Sequence, residues 1–267
     1  MTNPADLKTT ARRIRIDRTA AAVVLATLLP ITVAFAELEG YYIETLNRTS
    51  GIQDEGTSED LTKTYLAGDK MAVINSGPDA TDMIMDPNAG IITFINHAEK
   101  EYLEIDVNAV MESLSGPAGE QMRAMIGDMT VTVEETDQQR RIGEWETRLY
   151  RVNKSGMMGI EQNIWAAADV DIDVTRYTDM MSLSGPGGVL ASSPAGIAQR
   201  EEMSKIKGYP ILTETQLDMM GTQMTTETEV QVIRWESIPA EIFRVPDAYS
   251  AREMGMMGMP TASGAHP

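Results

Sequence analysis

Few side chains in this sequence could carry covalent chemistry. Cysteine is absent, and the two histidines are His97 and His266. Histidine is the commonest general base, so these two residues bound the acid–base chemistry available. His97 stands in the tight turn Asn96-His97-Ala98-Glu99-Lys100, where a polar residue is expected to bond the backbone. His266 is the penultimate residue. Without a thiol, and without a histidine placed near a serine and an acid, nucleophilic catalysis has no evident machinery. Neither G-x-x-x-x-G-K-[ST] nor G-x-G-x-x-G occurs. The run Ser184-Gly185-Pro186-Gly187-Gly188 lacks the lysine and the preceding strand of a phosphate-binding loop, and reads as a plain loop. No catalytic residue and no cofactor is expected, so the chain does not read as an enzyme.

Two residue sets could hold a metal. Asp169, Asp171 and Asp173 alternate, which on a strand end would put three carboxylates on one face. A calcium-binding loop would need glycine at Val174 and glutamate at Met180, so that motif fails. The second set is methionine. The chain has 20 methionines against 3 phenylalanines, and Met254, Met256, Met257 and Met259 crowd the tail. Thioethers are soft ligands that suit Cu(I). Methionine is also flexible apolar filler and lines adaptable binding surfaces. Inside the chain the second role is expected, and the tail set is retained only as a weak metal candidate.

These residues must be positioned by strands. Short runs of β-formers separated by Gly, Pro, Asn and Asp recur from Tyr41 to Asp106 and again from Met129 to Ser237. Met83–Asp106 reads as three strands joined by the turns Asp86–Gly90 and Ala98–Lys100. Asp106 reads as the N-cap of a helix whose apolar face is Val107, Val110, Met111 and Leu114. Gln138–Arg141 reads as a polar turn. Gly143–Asp173, with Trp145 and Trp165, reads as the hairpin around which the sheet is built. Helical runs follow at Val174–Met181 and Ser193–Lys207. The fold class expected is α+β: a curved antiparallel sheet, or half-barrel, with helical inserts covering one face.

Several strands are apolar on both sides. Ile91 and Ile95 oppose Ile92 and Phe94, and Val230 and Val232 oppose Ile233 and Trp235. An antiparallel sheet with one wet face would alternate instead. Both faces therefore need cover, and a cavity lined by Ile92, Phe94, Met129, Val131, Val133 and Ile233 is expected, with the 107–126 helix above it.

Residues 1–36 read as a signal peptide. Lys8, Arg12, Arg13, Arg15 and Arg18 precede an apolar run that ends in Ala34-Phe35-Ala36, the small-x-small form of a cleavage site. Residues 37–250 then form one domain, and residues 251–267 a disordered Met/Gly-rich tail. The net charge is −18, and the leader is basic, so the remainder is more acidic still. Such a chain repels nucleic acid and anionic membrane surfaces. A periplasmic or extracellular protein is expected, with no stable membrane insertion after cleavage. The oligomeric state is left open.

The segments IITFINHAEKEYLEID, GEWETRLYRV and GYPILTETQL, with VIRWESIPAEIFRVPDAY, resemble the signatures of an uncharacterised bacterial envelope family, a domain of unknown function. The likeness runs over most of Tyr41–Tyr249. It implies a fold similar to the lipoprotein localisation factors (LolA/LolB-like), periplasmic half-barrels with helices over an apolar cavity. It carries over no catalytic residue. The function expected is non-enzymatic binding of a lipid, an acylated lipoprotein or another hydrophobic ligand. The alternatives are Cu(I) handling through methionines and an envelope structural or sensor module without a small ligand.

Overall fold

Long alternating strands zipped by tight turns give one open sheet, with few helices. The computed structural model describes residues 37–51, 56–77, 80–114, 130–155, 159–184, 194–219 and 222–252, together with Gly116 and Glu120. The strands are β1 (Glu37–Ser50), β2 (Ser58–Ala67), β3 (Lys70–Asn75), β4 (Thr81–Asp86), β5 (Ile91–Asn96), β6 (Glu101–Asp106), β7 (Thr130–Ile142), β8 (Trp145–Ser155), β9 (Gly159–Ala167), β10 (Tyr209–Met219), β11 (Thr222–Pro239) and β12 (Ser250–Ala251). The helices are α1 (Val107–Leu114), α2 (Thr175–Ser184) and α3 (Pro194–Met203), with a 3-10 turn at Ala240–Phe243.

The strand order is β12-β6-β5-β4-β3-β2-β1-β11-β10-β9-β8-β7. Two meanders, β1–β6 and β7–β11, meet where the first long strand pairs with the last one. Every pairing is antiparallel except the short β12–β6 contact, which is parallel. The centre is thus the β1–β11 pair, and the Trp145–Trp165 hairpin lies toward one edge. Local pattern alone favours the hairpin as centre, because a pairing between distant segments leaves no mark in either segment.

Turn chemistry matches the sequence at most joints. Asp106 caps α1 by accepting the Asn108 and Ala109 N–H groups at 2.9 and 3.1 Å, which satisfies two of the orphan donors of the first turn. Gly208 has φ +88, and a Cβ there would strike the Ala167 carbonyl, so β10 can enter beside β9 only with glycine at that position.

Three local readings are corrected. Gln138–Arg141 is not a turn. It belongs to β7, which passes a bulge between Glu135 and Gln139 and pairs on as far as Ile142–Trp145. Asp169–Asp173 is not a strand end: β9 stops at Ala167, and Asp173 accepts the Thr175 N–H at 2.9 Å at the start of α2. Val230 does not oppose Ile233. Glu44 pairs with Val232 and Thr45 with Val230, so Gln231 is an extra residue. A bulge reverses the alternation, and Val230 joins the cluster to which Ile233 packs.

Candidate ligand-binding face

The register pairs build an unbroken apolar line across seven strands. Trp235 of β11 stands opposite Tyr41, then Leu66, Met71, Met85, Ile92 and Ile105 follow on β2 to β6. A second line runs beside it: Ile233, Ile43, Thr64, Val73, Met83, Phe94 and Leu103. Directly paired residues share a face, so both lines lie on one side of the sheet. Each spans about 29 Å at the usual strand spacing.

Burial along these lines is uneven. Ile43 and Met85 are 1% exposed and Ile92 is 0% exposed, whereas Trp235 is 60% exposed. Val73, Met83, Phe94 and Leu103 are half-buried. The Trp235 ring meets Tyr41 edge-on. Side chains from Val107 and Met111 of α1, and Tyr177 and Met180 of α2, pack into the cluster formed by Ile43, Leu66, Met85 and Ile92. Tyr209 packs there too, and burial pushes its phenol up to about 12.

The other face of β1–β5 belongs to a second cluster: Ala67, Ala72, Ile84, Ile95, Ile238 and Phe243. The segment after β11 closes it with Ile242, Val245 and Tyr249. His97 fixes that segment. Its Nε2 lies 2.6 Å from Asp82 Oδ2, and its Nδ1 lies 2.9 Å from the Tyr249 hydroxyl. Asp82 is buried and also accepts the Asn75 N–H at 3.0 Å. His97 is a turn residue, as expected, but its ring bonds side chains on β4 and the C-terminal segment. Burial, reinforced by its hydrogen bond to Glu44, pushes the Tyr42 phenol on this face well above its ordinary range.

The residues expected to line a cavity fall into two groups. Ile92, Phe94 and Ile233 share one cluster. Val131 and Val133 lie in another, with Tyr150, Val152, Ile164 and Ala166, against Met203 and Ile206. Met129 lies outside the described residues, as do Met254, Met256, Met257 and Met259 and residues 1–36. Trp145 and Trp165 are buried, as a core role requires. The Trp165 indole N–H has no acceptor among the described residues, and the Arg140 guanidinium lies 4.0 Å from its ring centroid.

An open depression of about 150 Å³ lies at the Phe94–Leu103 end of the second line, lined also by Tyr102 and Arg252, among others. Two residues of interest escaped sequence reasoning. Trp235 carried a signal, since it follows Ile233 by two in the strand alternation. Lys154 carried none, because a lysine in an alternating strand reads as a solvent-facing position.

No family model and no curated protein matches the sequence. Among solved structures the chain is similar to PNGF-II, with a TM-score of 0.39 and 9% identity over 82% of this chain and 32% of that one. The chain thus spans about a third of the length of PNGF-II. It is similar to a LolA superfamily protein from Nitrosomonas europaea, with a TM-score of 0.33 and 9% identity over 78% of this chain and 90% of that one. It is also similar to a DUF1329 family protein from Desulfovibrio piger, with a TM-score of 0.32 and 9% identity over 78% and 90% of the two chains.

Proposed function

We propose that this is an exported, non-enzymatic protein that binds a lipid, an acylated lipoprotein segment or a similar hydrophobic ligand on the apolar face carrying Ile92, Phe94 and Ile233. Residues 1–36 direct export and are cleaved after Ala36, so the protein acts in the periplasm or outside the cell. The inserts α1 and α2 lie over this face, and α1 moves to admit the ligand. Val131 and Val133 extend the face toward β7.

The observation that carries the reading is Trp235. A tryptophan on one of the two central strands, in line with side chains that are fully buried, is left mostly in water. Large apolar side chains exposed beside a continuous apolar surface mark a binding site on soluble proteins. Met71, Met83 and Met85 on the same lines suit a ligand of variable shape, since thioether side chains repack at low cost. Binding would rest on apolar burial at about 25 cal/mol per Å².

Titration of the purified protein with a fluorescent fatty acid or a lipopeptide tests this. Saturable binding with a negative heat-capacity change is expected. Failure to bind any such probe would sink the reading, and a structural role in the envelope would replace it.

A further inference from the structure

On the β7–β11 half of the sheet, a third line of paired residues reads Val131, Lys154, Ile160, Leu217, Met224. Alternation along β1 from Ile43 to Thr49, with the pairs Thr49–Thr226 and Thr226–Thr215, puts this line on the same face as Ile43. Val131 is buried, while Ile160, Leu217 and Met224 are half-buried. Lys154 is the single charge in the line. Among the described residues no carboxylate pairs with it, in a chain with 40 acidic residues. The neighbouring cations are engaged: Arg148 with Glu135 at 2.7 Å and Arg151 with Glu134 at 4.0 Å.

A lysine lying over apolar residues ordinarily keeps its ammonium in water while its stem covers the surface. Lys154 departs from that pattern, because burial pushes its ammonium below the usual lysine range and no charge among the described residues offsets the shift. An ammonium held among apolar side chains without a counter-ion is costly, and an anion brought to it would relieve that cost.

We propose that Lys154 receives the carboxylate of a medium-chain fatty acid whose alkyl chain lies along Ile160, Leu217 and Met224. This rests on the hydrophobic-carrier reading and gives the same face a second acyl-binding strip, which reaches β11 at Met224, far along the strand from Trp235. From Lys154 to Met224 the line crosses three strand spacings, about 14 Å, which accommodates an extended acyl chain of medium length. The charge count selects a carboxylate. One ammonium balances one negative charge, whereas a phosphate monoester carries about −1.5 to −2 and calls for the fork of an arginine. The strongly negative chain also disfavours polyanionic heads.

The test compares dodecanoate with dodecanol, which share the alkyl chain and differ in head charge. Calorimetric titration of the purified protein should show dodecanoate binding about tenfold more tightly, a factor worth about 1.4 kcal/mol. Lys154→Met keeps the apolar stem and should erase that preference while leaving dodecanol affinity unchanged. Lys154→Arg should retain the preference. Thermal unfolding of each variant confirms that the fold is intact. If Lys154→Met keeps the preference, or the unaltered protein binds both probes alike, the Lys154 assignment is overturned and the carrier reading stands. If neither probe binds at any concentration below its micellar range, both are overturned.

Discussion

The Trp235 ring stands at 84° to that of Tyr41, with centroids 4.8 Å apart, at the point where the first strand meets the last long one. Such an edge-to-face pair is worth about 0.5–1.5 kcal/mol beyond area burial, yet the indole stays mostly in solvent. Apolar ligand reaching this face should blue-shift the Trp235 emission. Trp235→Ala should lower probe affinity by about tenfold. The same change should shift unfolding stability by no more than about 1.5 kcal/mol, because little of the ring is buried and only the Tyr41 contact is lost. Equal affinity in the variant would place the ligand elsewhere.

Trp165 should behave in the opposite way. It is buried with Leu149 and Leu212. Trp165→Ala should cost about 3–5 kcal/mol in chemical denaturation, through lost transfer energy and the cavity left behind. Trp165→Phe should cost much less, since the indole N–H it removes has no acceptor among the described residues to lose. A loss below about 1 kcal/mol for the alanine variant would show that the hairpin contributes little to the core.

Acid should weaken the β7 edge. Glu202, in the last turn of α3, bonds Lys205 Nζ at 2.5 Å and accepts the Val133 N–H at 2.8 Å. Those two bonds, Lys205 first, hold its carboxyl below the usual range. A carboxyl lowered in the folded state binds its proton more readily in the unfolded chain. Its contribution is therefore complete above the ordinary glutamate value, about 4.3, and is lost as pH falls through the lower folded value. Urea midpoints between pH 7 and pH 3 should fall less steeply for Glu202→Gln than for the parent. Parallel pH profiles would count against this contact.

The C-terminal segment should divide sharply at Arg252. Ser250 and Arg252 donate their N–H groups to the Lys100 and Tyr102 carbonyls at 3.1 and 2.7 Å. Arg252 also lies 3.7 Å from Glu99. Truncation after Arg252 should leave the thermal midpoint unchanged, and Cu(I) stoichiometry under reducing conditions should not fall. Truncation after Arg244 removes Val245 and Tyr249 from the apolar cluster and should cost on the order of 2 kcal/mol or more. Tyr249→Phe alone should cost about 1 kcal/mol, the net worth of its bond to His97.

Processing gives a fifth expectation. N-terminal sequencing of the exported protein should begin at Glu37, one residue past the Ala34-Phe35-Ala36 site. Recovery of the intact leader in a membrane fraction would contradict it.

The strands were legible wherever a tight turn joined neighbours. Asp86–Gly90 and Ala98–Lys100 announced β4, β5 and β6, and Asp106 announced α1. What stayed hidden was set by partners far away in the sequence. The bulge at Gln231 exists only because β1 and β11 pair, so the alternation read along β11 alone put Val230 on the wrong side. The same blindness merged Ile92 with Val131, since both are β-branched, strand-borne and apolar, and only the strand order separates their clusters. Part of the candidate face was legible, because two-sided strands such as Ile91–Ile95 show it. Lys154 was not, because a lysine with no carboxylate beside it among the described residues is recognised only once the strands are paired.

The seam between β1 and β11 also fixes an order of events in folding. Most neighbouring strands in each half close locally, through hairpins that form early and at small entropic cost, the exception being β9 and β10, which residues 168–208 with α2 and α3 join. The seam joins residues 37–50 to residues 222–239, so its loop-closure cost falls due only when nearly all of the chain is present. Until then each half presents a long unpaired strand edge, which is the surface through which β proteins pair wrongly. Refolding should accordingly be slow and dependent on protein concentration. Changes along the β1–β11 register should retard it far more than equivalent changes in the β4–β5 hairpin.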